Sequence, residues 1–447
     1  MAKFWQTAML GDAPDGLDGG AAGSTVDATP DAHVDVMAGA EEMGSELDGV
    51  SDGASNDIET LEQHEEVLAE GEENGGVDTN TAAVVQASVE RIRKNYGPLM
   101  NGVKMPVPSR ESFGLKAKRG QATTYAREAV GETISRVWET IKEFFKQLKE
   151  KIAAWFKSVF DSNTKLAKKV ADLRKAVTAL EGSSSQSTIE DAGLAAKLRL
   201  DGKVDEKTVT SGLQRIDAAL TDQVKVIETA STELDAAAKV KEPSEKDAKR
   251  FATAIDAANS VLLKARNKVG TADGFDADDG PLATFVGSEM MGGKGFVVRS
   301  IGAVGVAGGN VGTDDSSMAA YGKMSAKIGD VKPKDKFEEK ELPVADDKNM
   351  QEYLGILANF STAISKVRDK SGKLESVFDN VSRAINDMSK TKSDTKEQSK
   401  TRDALTKAMK GMGALVAGST VSLTAFALDS GWATVKYVEK SMATYKK

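Results

Sequence analysis

Apolar residues recur with a helical period from about Thr124 onward. Ile134, Val137, Trp138, Ile141, Phe144, Phe145, Leu148, Ile152, Trp155, Phe156, Val159 and Phe160 fall at i, i+3, i+4 and i+7, which gathers them on one face of a helix. Lys142, Lys146, Lys149, Lys151 and Lys157 take the opposite face. The spacing predicts an amphipathic helix over 128–160 and a further helix over 163–180 that ends at EGSSSQS. Long helices follow near 205–241 and 244–268, with Glu242–Pro243 as the break between them. Residues 269–345 differ in texture: GFVVRSIGAVGVAGGNVG alternates β-branched residues with Gly, the pattern of a short hairpin or small sheet. Helical periodicity returns at Lys348 and runs to the C-terminus, with breaks expected near Ser371–Gly372 and Lys410–Gly413. No fixed-period repeat is evident. The expected fold is mainly α: long helices in a bundle or rod-like body, one small β-rich insert, and a disordered acidic N-terminal tail.

That tail is set apart by what it lacks. Residues 11–57 are mostly Gly, Ala, Asp and Ser, too poor in large apolar groups to offset the entropy of ordering. Within the acidic head, 58–72 and 81–95 could each make a short helix, and KMPVPSR (Lys104–Arg110) reads as a linker. The expected organisation is an acidic disordered segment over 1–90 and a linker with basic entry segment over 91–123. A helical domain over 124–268, the Gly-rich β insert over 269–345 and a C-terminal helical segment over 346–447 follow. MAKFWQTAML does not read as a secretory signal, having no sustained apolar run. Gly411–Leu428 is 18 residues without charge, but Ser419, Thr420, Ser422 and Thr424 make it a poor bilayer helix. Helix packing through small residues is the better reading of it.

Charge sharpens the division. The chain carries 60 Lys+Arg against 68 Asp+Glu, a modest total that hides a strong asymmetry. Residues 1–90 hold 21 acids and the single base Lys3, a net of −20, whereas residues 91–180 hold 20 bases and 8 acids, a net of +12. Residues 181–447 balance at 39 each. An acidic head, a basic shoulder and a neutral body point to polyanion contact by the shoulder or to an acidic tail with its own role. With no Cys in the chain, disulfides, thiolate metal sites and a Cys nucleophile are excluded.

Catalytic chemistry finds little purchase. The two histidines, His33 and His64, both sit in the acidic head without a second ligand nearby in sequence. GSEMMGGKG (Gly287–Gly295) imitates a phosphate loop, but Gly293 precedes Lys294 and Gly295 stands where a hydroxyl is needed for magnesium. A hairpin turn accounts for it better. No cofactor, metal or catalytic residue is expected, and the chain reads as a non-enzyme.

The helix over 128–160 admits three readings. The plainest is a core helix whose solvated face is basic. Alternatively, Lys142, Lys146, Lys149, Lys151 and Lys157, together with Lys116, Lys118 and Arg119, would contact nucleic acid through its phosphates, without base readout. The third is a membrane surface, with Trp138 and Trp155 as interfacial anchors.

The sign change falls inside VVQASVERIRKNYG (Val84–Gly97) and suggests a processing point. Ser88-Val89-Glu90 is a small residue, any residue, then Glu, directly before Arg91 and the basic run. Such triplets are common here, ending also at Glu111, Glu128, Glu181 and Glu233 and several times within the head, so the charge switch is what singles out Glu90. Glu111 is the secondary candidate.

Glu111–Phe160 is similar to the internal head (inner body) proteins of large tailed bacteriophages. The resemblance rests on the ESFG start (Glu111–Gly114), Arg119, Ala122–Thr123 and Glu128, followed by the Trp/Phe/Lys-rich helix. It implies a precursor whose acidic propeptide directs it into the prohead core among capsid or core proteins. There a prohead protease would remove the propeptide after a small-x-Glu or apolar-x-Glu triplet. It further implies that the mature chain stays with packaged DNA inside the capsid head, bound non-specifically, and enters the host on ejection. Before packaging the chain would be in the host cytoplasm. An assembly scaffold and a membrane-active effector acting after delivery are the alternative functions.

Overall fold

A computed structural model of the chain describes residues 57, 60–95, 113, 118–241, 244–264, 267–275, 282–301, 320, 323–334, 337–390 and 396–445. The disorder expected over 11–57 concerns residues that, Asp57 apart, lie outside this set, as do the linker at 104–110 and the break at Glu242–Pro243. Nearer the boundary, residues 60–73 form α1 and Thr79–Asn95 form α2, close to the short helices expected over 58–72 and 81–95. The reason is apolar content: Leu61, Leu68, Val77, Ala82, Val85, Val89 and Ile92 are all buried in the main core.

The body is built on four long helices. α3 spans Arg119–Thr178, α5 Glu206–Ala238, α7 Asp347–Lys390 and α8 Lys396–Ala443. Two shorter helices, α4 (Ala192–Leu198) and α6 (Glu245–Leu263), lie between them in sequence. α7 packs along both α3 and α5, and α8 touches all three. Of the two architectures expected, this is the bundle. The α5 start is set by a capping box: Asp205 accepts from Thr208 N at 2.8 Å, and Thr208 Oγ1 accepts from Asp205 N at 2.7 Å. From there Val209, Leu213, Ile216, Leu220, Ile227 and Leu234 form a buried stripe at helical spacing.

Three expected interruptions are absent. The helices predicted over 128–160 and 163–180 are one 60-residue helix, roughly 90 Å long at 1.5 Å per residue. Asn163, at the supposed junction, donates to Ser361 O at 3.2 Å and ties α3 to α7. α7 runs through Ser371–Gly372, where Ser371 Oγ donates back to Val367 O at 2.8 Å. α8 runs through Lys410–Gly413. A helical Gly costs only about 1 kcal/mol, and at Gly413 packing offsets it. A Cβ there would lie 3.1 Å from the Phe145 ring, which sits against Phe378 at a centroid distance of 5.7 Å.

α8 is apolar nearly all round, as befits a helix enclosed by protein. It is long and apolar enough to cross a membrane, yet its apolar window is 89% buried by its neighbours. Its hydroxyls are used inside the fold. Ser419 and Thr420 accept from Gln223 Nε2 on α5 at 3.0 and 2.8 Å, and Thr424 Oγ1 donates to Thr420 O at 2.7 Å. Small-residue packing therefore accounts for Gly411–Leu428.

The insert is an antiparallel sheet in the order β2 (Asn267–Val269), β3 (Leu282–Val286), β4 (Lys294–Ile301), β5 (Ser325–Asp330). Phe285 faces Val298, and Val298 faces Ala326. GSEMMGGKG is the β3–β4 connection, with Gly292 and Gly293 at φ of +73° and +72°, so the hairpin reading of that stretch is the right one. The sheet rests on the bundle through β5: Ile328 N donates to Ser422 Oγ of α8 at 3.1 Å. A separate two-stranded ladder, β1 (Thr188–Glu190) with β6 (Glu341–Pro343), was not expected; it pairs Ile189 with Leu342 and joins the chain ahead of α4 to the chain ahead of α7.

Candidate functional site

The sign change lies within α2. Asp78 starts that helix by accepting from Asn80 N at 2.8 Å and Thr81 N at 2.9 Å, and those bonds hold its carboxyl below the usual range. Ala82, Val85, Val89 and Ile92 form its buried face. Of the candidate triplet, Ser88 is half-buried, Val89 is 5% exposed, and Glu90 and Arg91 are exposed. Glu90 accepts from Gln86 Nε2 at 3.0 Å, one turn earlier on the helix. A protease cleft generally takes its substrate as an extended strand, so Ser88–Arg91 must leave the helix before it can be cut. Glu111 lies outside the described residues.

α1 and α2 form a hairpin docked on the start of α3 and on α8. Val77 N donates to Thr123 Oγ1 at 3.0 Å. Gly76, at φ +108°, lets the chain pass the α3 backbone: a Cβ there would lie 2.6 Å from the Arg119 carbonyl carbon. Glu72 receives Thr124 Oγ1 at 2.6 Å and Arg127 Nη1 at 3.0 Å, and Glu65 lies 3.9 Å from Arg127 Nε. The bonds from Thr124 and Arg127, in that order, hold the Glu72 carboxyl below the usual range. Glu62 pairs with Arg402 of α8 at 3.2 Å, and the Arg402 guanidinium sits 5.9 Å from the centroid of the Trp138 ring. Each of these ion pairs sets an acid of residues 60–90 against a base of the body. These residues went unnoticed in the sequence; the one sign was that Glu62, Glu65 and Glu72 lie on the same side of α1, along the edge of the stripe that carries the buried Leu61 and Leu68.

His64 belongs to the same hairpin. It is half-buried, and burial, followed by the nearby Arg91 charge, pushes its pKa below the ordinary value of 6.5. The docked state therefore binds fewer protons than the opened one, and its stability is full above about pH 6.5 and falls as pH drops through the lowered value. Glu72 and Asp78 titrate below their ordinary carboxylate range and play no part in that window. Amide exchange over 60–95, normalised for intrinsic rates, is expected to quicken between about pH 8 and about pH 5.5. His64→Gln removes that dependence, and an unchanged profile in the variant would disprove the assignment.

The predicted basic face is divided. Lys116 lies outside the described residues; Lys118 is exposed, and Arg119 Nε donates to Phe113 O at 3.0 Å. Lys142 and Lys157 are exposed. Lys146 lies 3.5 Å from Glu143, and Lys149 bridges to Asp379 of α7 at 2.6 Å, the hydrogen bond that raises its pKa. Lys151 is carried on the same helix. Trp138 and Trp155 are only 3% and 6% exposed and belong to the core, so they do not serve as interfacial anchors. An amphipathic face presents the same periodicity to a protein neighbour as to a lipid surface, and here α3 has α7 and α8 to pack against. Among the described residues, no group of three or more His, Asp or Glu is placed to hold a metal ion.

No curated protein and no solved structure matches the chain. One family model does, that of the phiKZ-like phage internal head proteins, and its match runs over residues 29–440. That span takes in the acidic hairpin, the bundle and the insert together, well beyond the fifty residues on which the resemblance first rested. The chain belongs to the phiKZ-like phage internal head proteins, components of the interior of the capsid.

Proposed function

We propose that this internal head protein is made as a precursor and that a prohead protease cuts it between Glu90 and Arg91. Its acidic N-terminal segment is removed, and residues 91–447 are packaged with DNA among capsid or core proteins and delivered with the DNA. The observation that carries the reading is the inversion from −20 over residues 1–90 to +12 over 91–180, with the small-x-Glu triplet at the switch. Its role is architectural, in keeping with a family of internal head proteins, and both histidines fall in the segment to be discarded. Phosphate contact by the exposed bases requires no base readout, so any packaged sequence suffices.

Mass spectrometry of the protein from purified mature particles tests this. The expected result is a new N-terminus at Arg91. An N-terminus at Met1 or Ala2 as the sole form would sink the reading, and absence from mature particles but abundance in precursors would make the chain a scaffold.

A further inference from the structure

The acids of the docked hairpin face bases of the body: Glu65 and Glu72 face Arg127, and Glu62 faces Arg402. We propose that the body carries a phosphodiester-binding face with two contact points, Arg127 with Thr124 at one and Arg402 at the other, about 15 Å apart along α1, which the hairpin covers with its own carboxylates until residues 60–90 are removed. The inference rests on the processing reading above and specifies what that processing uncovers.

Four observations carry it. Arg127 and Thr124 come from α3 and Arg402 from α8, so the site is held by two helices of the bundle and not by the hairpin. The groups facing them are carboxylate oxygens at charge-assisted hydrogen-bond distance: Glu72 from Arg127 at 3.0 Å and from Thr124 Oγ1 at 2.6 Å, and Glu62 from Arg402 at 3.2 Å. A guanidinium and a hydroxyl converging on one anionic group suit a phosphate oxygen as well as a carboxylate. The Arg402 guanidinium also sits 5.9 Å from the centroid of the Trp138 ring of α3, a neighbour that belongs to the body and not to the hairpin. Finally, the acids both hold the hairpin and cancel the bases beneath it. The half-exposed pairs of Arg127 contribute little to stability, the Arg402–Glu62 pair, 12% and 21% exposed, contributes more, and the buried Leu61, Leu68, Val85, Val89 and Ile92 supply the rest. Removing the carboxylates therefore loosens the hairpin and restores the positive charge of the covered face together. While the chain is continuous the hairpin competes at a high effective concentration, an advantage that a cut in α2 abolishes.

Three full-length proteins and a control decide this by anisotropy of a labelled duplex DNA across about 50–200 mM salt. The triple variant E62Q/E65Q/E72Q is expected to bind at least about tenfold more tightly than the wild type, with a salt slope steeper by roughly one to two, at about 0.9 per phosphate engaged. Adding R127Q and R402Q to that triple is expected to return binding to the wild-type level. The control E338Q/E339Q/E341Q makes the same change in net charge at three exposed acids of the segment before α7 and should tighten binding less than about twofold by the general field alone. Equal gains in both triples, or a gain that survives loss of the two arginines, would refute the site.

A second measurement covers a triple variant that fails to fold. The recognition sequence of an unrelated protease is placed between Glu90 and Arg91, and the folded chain is cut after purification. DNA affinity is expected to rise on cutting and to fall again with R127Q/R402Q. A hairpin that stays bound after the cut, or leaves without any gain in affinity, overturns the proposal. Neither result depends on where the natural protease acts, so a failed masking site and a failed processing reading remain distinct.

Discussion

Phe145→Ala is expected to destabilise the bundle by about 3–5 kcal/mol. The ring is fully buried where three long helices meet: Phe378 of α7 lies 5.7 Å away at 44°, and Gly413 of α8 presents its bare Cα face to the ring edge. Truncation removes the transfer free energy of the ring and leaves a void lined by three helices that cannot all close on it. Denaturant unfolding followed by circular dichroism measures the loss. Val84→Ala, at a side chain 61% exposed on α2, serves as the reference and should stay within about 0.5 kcal/mol. Comparable midpoints for the two variants would mean that Phe145 is not at a packed junction.

The second large effect concerns a residue with no side chain. A Cβ on Gly418 would stand 2.8 Å from the Ala326 carbonyl oxygen, a backbone atom of β5 that cannot rotate away. Gly418→Val therefore has to push β5 off α8, and with it the bond from Ile328 N to Ser422 Oγ. Overpacking of this kind costs about 1–3 kcal/mol, occasionally more. Gly372→Ala makes the opposite case: the position is helical, exposed and open, with nothing within 4 Å of the added carbon. There the helix gains about 0.5–1 kcal/mol from the lost freedom of glycine. Thermal melts of the two proteins should move in opposite directions, and a shared sign would contradict the distinction between a contact glycine and an idle one.

The contrast explains what could be read in advance. The stripe from Val137 to Val159 was legible because a helix repeats its environment every three to four residues, and that rhythm survives in the sequence. Continuity was not. Gly372 and Gly413 read alike as punctuation, yet a glycine costs a helix little: α7 runs through Gly372 with no neighbour near it, and α8 runs through Gly413 against the distant Phe145 ring. The β1–β6 ladder is three residues on each side, joined across some 150 positions, and nothing local in TIE or ELP announces it.

The candidate sites divide in the same manner. Net charge is additive, so the boundary at Glu90 could be counted. The pairing of Glu72 with Arg127 or of Glu62 with Arg402 is a tertiary fact, fixed only when α1 lies across α3 and α8. The tryptophans were misplaced for a related reason: Trp138 and Trp155 obey a periodicity that reports one-sidedness and is silent on what the side faces.

Val89 lies inside a helix and faces the core. A protease that acts after Glu90 meets its substrate only in the fraction of molecules whose α2 has opened. When closing is faster than cutting, the rate of processing is the product of that fraction and the intrinsic rate on an open strand. On the proposed processing, the stability of the hairpin would act as a timer on maturation. Sequence changes far from the triplet, at Leu61 or Leu68, would then advance or delay the cut without altering the bond that is broken.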